Sequence, residues 1–393
     1  MIERRECYEL STLKGWSLIY GRRKVGKTYL ATRCVPHDSY YVVTRQMDVL
    51  NGGERLELGK AVTQIARELK AGKSVILDEF QRVPEALWEV LTTQHPSGKL
   101  TLLASSLGIT KKAFDRNSPL LGLALPYRMD VVHYPDALAH FGDPLSALLF
   151  RDPWVTAHAS SWADVSRNPQ GFYYVVKGLI GEVFQEEERR FTQIYEAILI
   201  SVAEGEWNSS IITSRLQSTL SVNGSTVSSY LDSLGKMGLI RKIKVFRGGR
   251  GAEWYHTLSS PLMSAVLYAE AKHRVSDNNQ EVDLTRPIAR ELQFSVGELL
   301  AEKNGAQPAY SPKEDIDIVL LKHGKPIAGY EVKIGEIEKA EAEKATWKIR
   351  SAGIPRAGLV SLTAKPPPSD ESLTTEDLVK IAREIRKKWQ KRS

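Results

Sequence analysis

The sequence predicts a multidomain α/β fold that begins with a parallel β-sheet around a phosphate-binding loop. An apolar run at residues 16–20 leads directly into G-R-R-K-V-G-K-T at residues 21–28, and residues 29–32 are compatible with a helix. A second apolar run, residues 74–77, is typical of a central parallel strand and ends in the acidic pair Asp78 and Glu79. With 393 residues the chain is too long for one ordinary domain, so we expect two or three.

Composition narrows the class of protein. A hydrophobic content of 42% and a charged content of 26% are typical of soluble globular proteins, and no apolar run is long enough to span a bilayer. The N-terminus lacks a signal-peptide core, so we expect a cytoplasmic protein with no membrane partner. Cys7 and Cys34 lack C-x-x-C spacing, which indicates neither a disulfide framework nor a zinc ribbon. The formal charge of +7 permits DNA as a partner without establishing it.

Each residue type in the glycine-rich loop suits phosphate chemistry. Gly21 and Gly26 allow a tight turn that brings backbone N–H groups onto phosphates, and Lys27 reaches the β and γ phosphates. The Thr28 hydroxyl is suited to ligate Mg²⁺, and the N-terminus of the following helix favours an anion. ATP and Mg²⁺ are therefore the predicted cofactors, although the pattern does not separate ATP from GTP. The remaining predicted nucleotide contacts are Lys24, Val25 and Tyr29.

The acidic pair supplies the predicted catalytic groups. Asp78 is expected to hold the Mg²⁺ shell, and Glu79 is expected to orient or deprotonate the attacking water. The next apolar strand, residues 100–103, leads to Ser106. We predict that Ser106 senses the γ-phosphate, and an ordinary serine at a strand end is the alternative. A fifth strand at residues 129–134 completes the predicted sheet, with ligand groups at the strand ends.

Residues 136–275 are predicted to follow the sheet as two segments. Residues 136–190 are interpreted as a helical lid or connector, in which the aromatic residues and the acids, including those at 186–188, form packing and solvated faces rather than a site. Residues 191–275 contain three predicted helices and a basic, glycine-tipped hairpin, which is the pattern of a winged helix. If this segment binds DNA, the third helix faces the major groove and the hairpin contacts the backbone or minor groove; a rigid spacer is the alternative. The predicted contact residues are Ser225, Thr226, Ser228, Ser229, Arg247 and Arg250.

Four motifs together resemble the archaeal-type P-loop ATPases, which are related to the AAA and STAND groups. The motifs are Y-G-R-R-K-V-G-K-T at 20–28, I-L-D-E-F-Q-R at 76–82, A-S-S at 104–106 and S-P-L-L-G at 118–122. The resemblance covers nearly the whole chain. It implies a P-loop ATPase, a winged helix and a nuclease-like C-terminal domain of restriction-endonuclease type. From the resemblance and the residue patterns together, we expect the ATPase core at 1–135, the lid at 136–190, the winged helix at 191–275, the nuclease-like domain at 285–365 and a basic C-terminal helix at 366–393.

The chain departs from that family at one position in the ATPase core. The family usually has an arginine after S-P-L-x-G, whereas this sequence has Leu123. An arginine that stabilises transition-state charge therefore has no counterpart there. Arg116 and Arg128 lie nearby in the sequence, and the choice between them stays open.

The C-terminal part resembles the PD-(D/E)xK nuclease core. Predicted strands at 315–321 and 327–333 form a hairpin, and period-two alternation places Glu331 and Lys333 on one face. In the family two acids, here Asp317 and Glu331, bind Mg²⁺, and the lysine activates water or steadies developing charge. Gln293 stands where the family has a supporting glutamate. Glu291 and Glu298 are alternatives, but they differ from Gln293 by about 200° and 140° around a helix.

Two functional hypotheses follow from these residues. The first is a Mg²⁺-dependent ATPase whose nucleotide state controls DNA binding or processing, with endonuclease activity left open by Gln293. The second is a slow, STAND-like nucleotide switch that binds a protein or DNA partner and cuts nothing, with residues 317, 331 and 333 forming a salt-bridge cluster. Turnover with and without DNA separates the two. The sequence does not reveal the oligomeric state or the DNA substrate.

Overall fold

The computed structural model describes residues 2–92, 97–249 and 252–391. These residues form two compact units. The N-terminal unit comprises Arg4–Asp130 and Leu179–Arg190, and the C-terminal unit comprises residues 2–3, 131–178 and 191–391. Each unit contains one seven-stranded β-sheet. The domain limits predicted from the sequence stay predictions, and we describe the two units separately.

The sheet of the N-terminal unit places the strand that precedes the glycine-rich loop between two parallel neighbours, one of which is an edge strand. Its strands are β1 (Trp16–Tyr20), β2 (Ser39–Val43), β3 (Asp48–Asn51), β4 (Glu54–Glu57), β5 (Ser74–Asp78), β6 (Lys99–Ala104) and β7 (Ala124–Arg128). They lie in the order β4-β3-β2-β5-β6-β1-β7. The five strands from β2 to β7 in this order are parallel, and β3 and β4 extend the β2 edge as an antiparallel hairpin.

Helices cover both faces of this sheet. They are α1 (Arg5–Ser11), α2 (Lys27–Cys34), α3 (Leu58–Lys70), α4 (Trp88–Thr92) and α5 (Ile109–Ala113). Because successive side chains of a strand point to opposite faces of the sheet, neighbouring residues of β1 pack into two different hydrophobic clusters. Leu18 packs with Ile65 of α3, and Ile19 packs with Leu10 of α1 and Leu30 of α2. The two apolar layers hold β1 and the loop that follows it in a fixed position.

The fifth predicted strand is wrong in position. The structure has β7 at Ala124–Arg128, not at residues 129–134. β7 is an edge strand with β1 as its neighbour, and its residues Leu125 and Pro126 are exposed. An edge strand of this kind lacks the apolar run that identifies a central parallel strand. Met129 is buried, and its N–H donates a 2.8 Å hydrogen bond to the Tyr20 carbonyl just beyond the paired strands.

The sequence did not indicate a disulfide framework, but the structure contains a disulfide. Cys7 of α1 and Cys34 at the end of α2 are joined by a disulfide, with their Cα atoms 5.2 Å apart. No local pattern indicates this pair, because 27 positions separate the two residues. The packing of α1 beside α2 brings them together.

The C-terminal unit contains most of the helices. They are α6 (Tyr134–Phe141), α7 (Pro144–Leu149), α8 (Trp162–Arg167), α9 (Pro169–Glu186), α10 (Gln193–Glu204), α11 (Ser209–Leu220), α12 (Gly224–Lys236), α13 (Pro261–His273), α14 (Thr285–Asn304), α15 (Lys339–Ser351) and α16 (Thr375–Gln390). From Leu179 onward, α9 belongs to the N-terminal unit. None of the helices in the described ranges has both the length and the apolar character needed to cross a bilayer.

Both hairpins predicted for this part of the chain belong to one sheet. The strands are β8 (Ile240–Val245), β9 (Trp254–Leu258), β10 (Gln307–Ser311), β11 (Ile316–Lys322), β12 (Lys325–Lys333), β13 (Ala357–Ser361) and β14 (Glu371–Leu373). Their order is β14-β13-β12-β11-β10-β8-β9. The pairs β8–β9 and β11–β12 are antiparallel, as predicted, and β8 runs parallel to β10. The basic hairpin therefore continues the sheet that contains Asp317 and Glu331.

An aromatic cluster joins the hairpin β8–β9 to α14. The ring of Tyr255 on β9 lies 5.2 Å from Phe294 of α14 and 5.0 Å from Tyr310 of β10. Phe294 and Tyr310 are also in edge contact at 5.7 Å. Edge-to-face contacts of buried rings stabilise a packing arrangement beyond the area they bury. The cluster fixes the helix that carries Gln293 and Glu298 against the sheet.

Candidate functional sites

Three strand ends meet where the sequence predicted a nucleotide site. β6 lies between β1 and β5, and all three strands run parallel, so their carboxyl ends share one edge of the sheet. The glycine-rich loop follows β1, Asp78 ends β5, and Ser106 follows β6. The sheet order therefore brings together three motifs that are far apart in the sequence. Crevices at the carboxyl edge of such sheets are where α/β proteins bind ligands.

The loop has the backbone that the glycines were predicted to allow. A Cβ at Gly21 would lie 2.0 Å from the Met129 carbonyl oxygen, so only glycine fits. Gly26 has φ 97° at the start of α2, and Lys24 is a non-glycine residue with φ 65°. Lys27 is buried, and its Nζ donates to the carbonyl oxygens of Gly21 at 2.8 Å and Arg22 at 2.9 Å.

Electrostatics favour an anionic ligand beside Lys27. Burial lowers the pKa of this lysine to about 8, and the carboxylates of Asp78 and Glu79 oppose the shift. A bound polyphosphate adds negative charge near the ammonium group and so favours its protonated form. The other two predicted nucleotide contacts differ in exposure. Val25 is buried, whereas Tyr29 is 45% exposed and lies under the Arg33 guanidinium.

Thr28 and Asp78 are in direct contact. Thr28 Oγ1 donates a 2.6 Å hydrogen bond to Asp78 Oδ2, and the Tyr40 hydroxyl donates to the same oxygen at 2.9 Å. Burial and the charge of Asp78 raise the pKa of the Tyr40 phenol, so it remains a donor. A hydroxyl and a carboxylate are the hard oxygen ligands that Mg²⁺ prefers. This donor set fits the metal predicted from the sequence, and Tyr40 is a support that the sequence did not indicate.

Glu79 is held by three cationic or amide groups. It has φ 58°, an uncommon backbone conformation for glutamate, directly after β5. Its Oε2 lies 3.2 Å from Arg23 Nη2 and 2.9 Å from Arg82 Nη2, and it accepts a 2.8 Å hydrogen bond from Gln81 Nε2. Arg82 is also anchored to the Val43 carbonyl at 2.7 Å. The carboxylate predicted to activate water is thus fixed in an ion-pair network.

The acidic end of α9 belongs to the same network. Glu186 Oε1 lies 3.1 Å from Arg23 Nη2, and its Oε2 accepts a 2.9 Å hydrogen bond from Gln81. Glu182, one turn earlier, lies 3.7 Å from Arg23 Nε and 3.0 Å from Arg45. The interpretation of residues 186–188 as a solvated face is therefore wrong for Glu186. The tertiary fold brings this residue to the ion pairs around Glu79.

Ser106 contacts the next acid of that segment. Glu187 Oε1 accepts hydrogen bonds from Ser106 Oγ at 2.9 Å, Leu107 N at 2.6 Å and Gly108 N at 3.1 Å. Two consecutive N–H groups and a hydroxyl around one oxygen form an anion-binding nest. Among the contacts of the described residues, Ser106 touches Glu187 rather than Lys27 or Glu79. Glu187 is thus a second acid for which the solvated-face interpretation is wrong.

Neither arginine suggested by the sequence contacts the acidic pair in the described part of the chain. Arg116 is exposed, and Arg128 is exposed and pairs with Asp130 at 2.9 Å. The guanidinium groups near Glu79 come instead from Arg23 and Arg82. Both stood within motifs that were visible in the sequence, but their side-chain direction was not.

The C-terminal candidate site has a different ammonium group from the one predicted. Asp317 accepts a 2.8 Å hydrogen bond from the Val332 N–H, and burial and then the charge of Glu331 raise the pKa of Asp317. Glu331 Oε2 lies 3.2 Å from Lys348 Nζ of α15. Burial alone would lower the pKa of Lys348, but Glu331 and Asp315 outweigh it and raise the pKa. The side chain of Lys333 instead pairs with Glu341.

The two glutamates considered as substitutes for Gln293 are already paired. Glu291 is buried between Arg241 at 3.2 Å and the Thr257 hydroxyl at 2.9 Å. Glu298 lies 2.8 Å from Arg151 Nη2. Within the described ranges, no group of three or more His, Cys, Asp or Glu side chains is arranged to hold a metal ion.

The helix and hairpin predicted to meet DNA have mixed exposure. Ser225, Ser228 and Ser229 of α12 are exposed, while the Thr226 hydroxyl donates to Asn223 at 3.0 Å as part of the helix cap. Arg247 is exposed at the end of β8, and Arg250 lies outside the described residues. A cavity of about 270 Å³ is lined by Lys242 and Lys244 of β8 together with Gln293 and Asp317.

Comparison with known proteins identifies the class of the first part of the chain. Residues 14–122 match the family model of the AAA domain. This match supports a P-loop ATPase domain in that part of the chain. A search of curated protein sequences found no match.

Several solved structures are similar to this chain at low sequence identity. A Walker-type ATPase of Pyrococcus abyssi is 16% identical, with a TM-score of 0.45, and the match covers 68% of this chain and 96% of that one. The ORC1 protein of Aeropyrum pernix, solved in complex with DNA, is 15% identical, with a TM-score of 0.30, and the match covers 68% of this chain and 90% of that one. A STAND protein with a tetratricopeptide repeat sensor from Pyrococcus horikoshii is 16% identical, with a TM-score of 0.26, and the match covers 77% of this chain and 46% of that one.

Proposed function

We propose that the N-terminal unit hydrolyses ATP with Mg²⁺ and that the nucleotide state controls DNA binding or processing by the C-terminal unit. The observation that supports hydrolysis most directly is the 2.6 Å hydrogen bond between Thr28 Oγ1 and Asp78 Oδ2. It joins the end of the glycine-rich loop to the acidic strand end, as a P-loop metal site requires. The buried Lys27 in the same loop supplies the cation for the phosphates.

Each residue of the proposed site has one task. Backbone N–H groups of residues 21–28 and the Lys27 ammonium bind the phosphates, and Ser106 senses the γ-phosphate. Thr28 and Asp78 hold Mg²⁺, which neutralises phosphate charge when bound. Glu79 orients the attacking water and accepts its proton, which requires the carboxylate to exchange at least one of its present partners for water.

The test of hydrolysis compares the wild type with Glu79→Gln in Mg²⁺ and ATP. We expect turnover in the wild type and a loss of roughly a hundredfold or more in the variant, because the water loses its base. ATP binding, followed with a fluorescent nucleotide, should persist in Glu79→Gln. Equal turnover by the two proteins would rule out the assigned role of Glu79.

DNA is the proposed partner of the C-terminal unit. The supporting observation is that the basic strand β8 continues the sheet of Asp317 and Glu331, with Lys242 and Lys244 lining the same cavity as Asp317. A phosphate backbone bound by these lysines would pass beside the two acids. We propose a winged-helix arrangement for residues 191–275 and a nuclease-like arrangement for residues 285–365 on this basis.

DNA binding is tested by fluorescence anisotropy with single-stranded, duplex and branched DNA at several salt concentrations. We expect Lys242→Ala/Lys244→Ala to weaken binding and to lower its salt dependence. The matched control is Lys322→Ala/Lys325→Ala, two lysines at the opposite end of the hairpin β11–β12. The same tubes are examined for cut DNA. Cuts lost in both Glu331→Gln and Lys333→Ala would support endonuclease activity.

A slow nucleotide switch is the second candidate, and one observation favours it. Arg23, Arg82 and Gln81 all contact Glu79 Oε2, an arrangement that opposes exchange of these partners for an attacking water. A switch of this class would bind ATP with Mg²⁺ but turn it over slowly, with no response to DNA. Tight nucleotide binding together with a rate that DNA leaves unchanged would therefore select the switch over the DNA-controlled ATPase.

A further inference from the structure

The position of Arg23 within the loop distinguishes it from the other arginines near the site. It lies between Gly21 and Gly26, in the segment whose backbone is proposed to surround the phosphates. Its guanidinium reaches Glu79, with Nη2 3.2 Å from Oε2 and 3.4 Å from Oε1. A water oriented by Glu79 attacks the γ-phosphorus, so a group that touches Glu79 from the loop stands next to the γ-phosphate.

The partners of Arg23 are all carboxylates among the contacts of the described residues. They are Glu79, Glu182 and Glu186, and the side chain of Arg23 is 18% exposed. Arg82 differs because it is tied to the Val43 backbone at 2.7 Å and therefore has a fixed place. Arg23 has no such backbone anchor in these contacts, and its charge can transfer from carboxylates to another anion by side-chain rotation alone.

We propose that Arg23 is a catalytic residue that contacts the γ-phosphate in the transition state, and that Glu182 and Glu186 hold it before nucleotide binds. This proposal rests on the proposed ATP hydrolysis. It also supplies the arginine that is missing at Leu123, from within the same chain. A guanidinium at the transferring phosphoryl group stabilises its developing charge, a contribution that is large in enzymes that use it.

The step balances without any further reactant. The water oxygen forms a bond to the γ-phosphorus while the bond from that phosphorus to the β,γ-bridging oxygen breaks. The electron pair of the broken bond stays on ADP, and the water proton passes to the Glu79 carboxylate. Arg23 neither gains nor loses a proton, because it acts only as a hydrogen-bond donor and a cation.

The first experiment measures kcat, ATP affinity and transition-state analogue affinity for the wild type, Arg23→Ala and Arg23→Lys. We expect Arg23→Ala to lower kcat by roughly a hundredfold or more, with ATP affinity changed less than threefold. Arg23→Lys should recover part of the rate, because it restores charge without the planar fork. Binding of ADP with aluminium fluoride should weaken in Arg23→Ala far more than binding of ADP alone.

The matched control is Arg55→Ala, an exposed arginine paired with Asp48 on the hairpin β3–β4. It should leave both kcat and analogue binding at the wild-type values. If the wild type itself fails to turn over ATP, the proposed function fails and not merely the role of Arg23. If the wild type is active and Arg23→Ala keeps its kcat and its analogue affinity, the assignment of Arg23 is overturned.

A double-mutant cycle tests the second half of the proposal. Glu186→Gln removes one carboxylate from Arg23 and should raise kcat severalfold, because the guanidinium is released more easily. In the Arg23→Ala background the same substitution should have no effect on kcat, since the group it releases is absent. An equal effect of Glu186→Gln in both backgrounds would show that Glu186 acts through Arg82 or Gln81 and would overturn this part.

Discussion

The carboxylate of Glu187 accepts a 2.6 Å hydrogen bond from the Leu107 N–H, and this bond ties the end of α9 to the segment after β6. The Ser106 hydroxyl and the Gly108 N–H share the same oxygen. The Glu187 side chain also packs closely against Gly108, because a Cβ at this position would lie only 2.8 Å from Glu187 Oε2. The group predicted to sense the γ-phosphate is therefore bound by an acid of the chain itself.

We expect Glu187→Ala to release this segment. Loss of hydrogen bonds to a charged group costs about 1.5–3 kcal/mol each when the donors stay buried, and less when water replaces the acid. The amide protons of Leu107 and Gly108 should exchange faster with solvent, as measured by hydrogen–deuterium exchange. ATP turnover should rise severalfold, since the Ser106 hydroxyl is freed. Glu188→Ala is the control, because Glu188 is 82% exposed and lies 3.5 Å from Lys112. Unchanged amide exchange of Leu107 and Gly108 in Glu187→Ala would contradict the expectation.

Metal binding is expected to depend on the contact between Thr28 and Asp78. In Thr28→Ala and in Asp78→Asn, the affinity for ATP in Mg²⁺ should fall to the value measured in EDTA. The reason is that each variant removes one of the two protein oxygens proposed for the metal. Fluorescent-nucleotide titrations with and without Mg²⁺ measure this difference. Thr32→Ala, one turn later on α2 and half-buried, should keep the full Mg²⁺ effect. Loss of the Mg²⁺ effect in Thr32→Ala would point to damage of the helix.

The disulfide between Cys7 and Cys34 is expected to stabilise the N-terminal unit. It closes a loop of 27 positions, for which the chain-entropy relation gives about 3.5 kcal/mol. Addition of a thiol reductant should lower the unfolding midpoint, as measured by thermal or urea denaturation. The variant Cys7→Ser/Cys34→Ser should unfold at the midpoint of the reduced wild type and should not respond to the reductant. If the unfolding midpoint of the wild type stays unchanged after the reductant has been shown to free both thiols, the disulfide does not stabilise the unit.

Glu298 is expected to stabilise the C-terminal unit rather than to bind metal. It neutralises Arg151, whose side chain is 5% exposed, and accepts a hydrogen bond from the Tyr134 N–H at 3.1 Å. Glu298→Gln should cost about 2–3 kcal/mol of unfolding free energy, because the arginine loses its counter-charge. Urea denaturation at pH 7 measures this loss. Glu384→Gln, at an exposed position of α16, is the control and should change stability little.

Glu298 is also expected to make the free energy of unfolding depend on pH in the acid range. Burial opposes its charge, but Arg151 and then His133 outweigh burial and lower the pKa of Glu298 well below its usual range. A folded-state pKa below the unfolded value means that this stabilisation is present above about pH 4.3 and is lost as the pH falls further. The wild type should thus lose stability faster than Glu298→Gln between about pH 5 and pH 3. Parallel slopes for the two proteins would contradict the assignment.

The sequence by itself determined the local elements and most of the chemical groups. Strand, loop and helix at residues 16–34, the acidic pair after β5 and both hairpins of the C-terminal unit follow from patterns a few residues long, because periodicity and glycine positions act locally. The strand β7 was misplaced because an edge strand need not be apolar.

Tertiary structure alone decided which charged groups meet. Arg23 and Glu186 are 163 positions apart, Ser106 and Glu187 are 81 apart, and Lys348 rather than Lys333 faces Glu331. The cysteine pair and the shared sheet of β8 and β10 belong to the same group of findings. Contacts between distant positions depend on strand order and helix packing, which a periodic pattern does not encode. The residues of the proposed ATP site could therefore be predicted from the sequence, whereas the ion pairs around them could be found only from the fold.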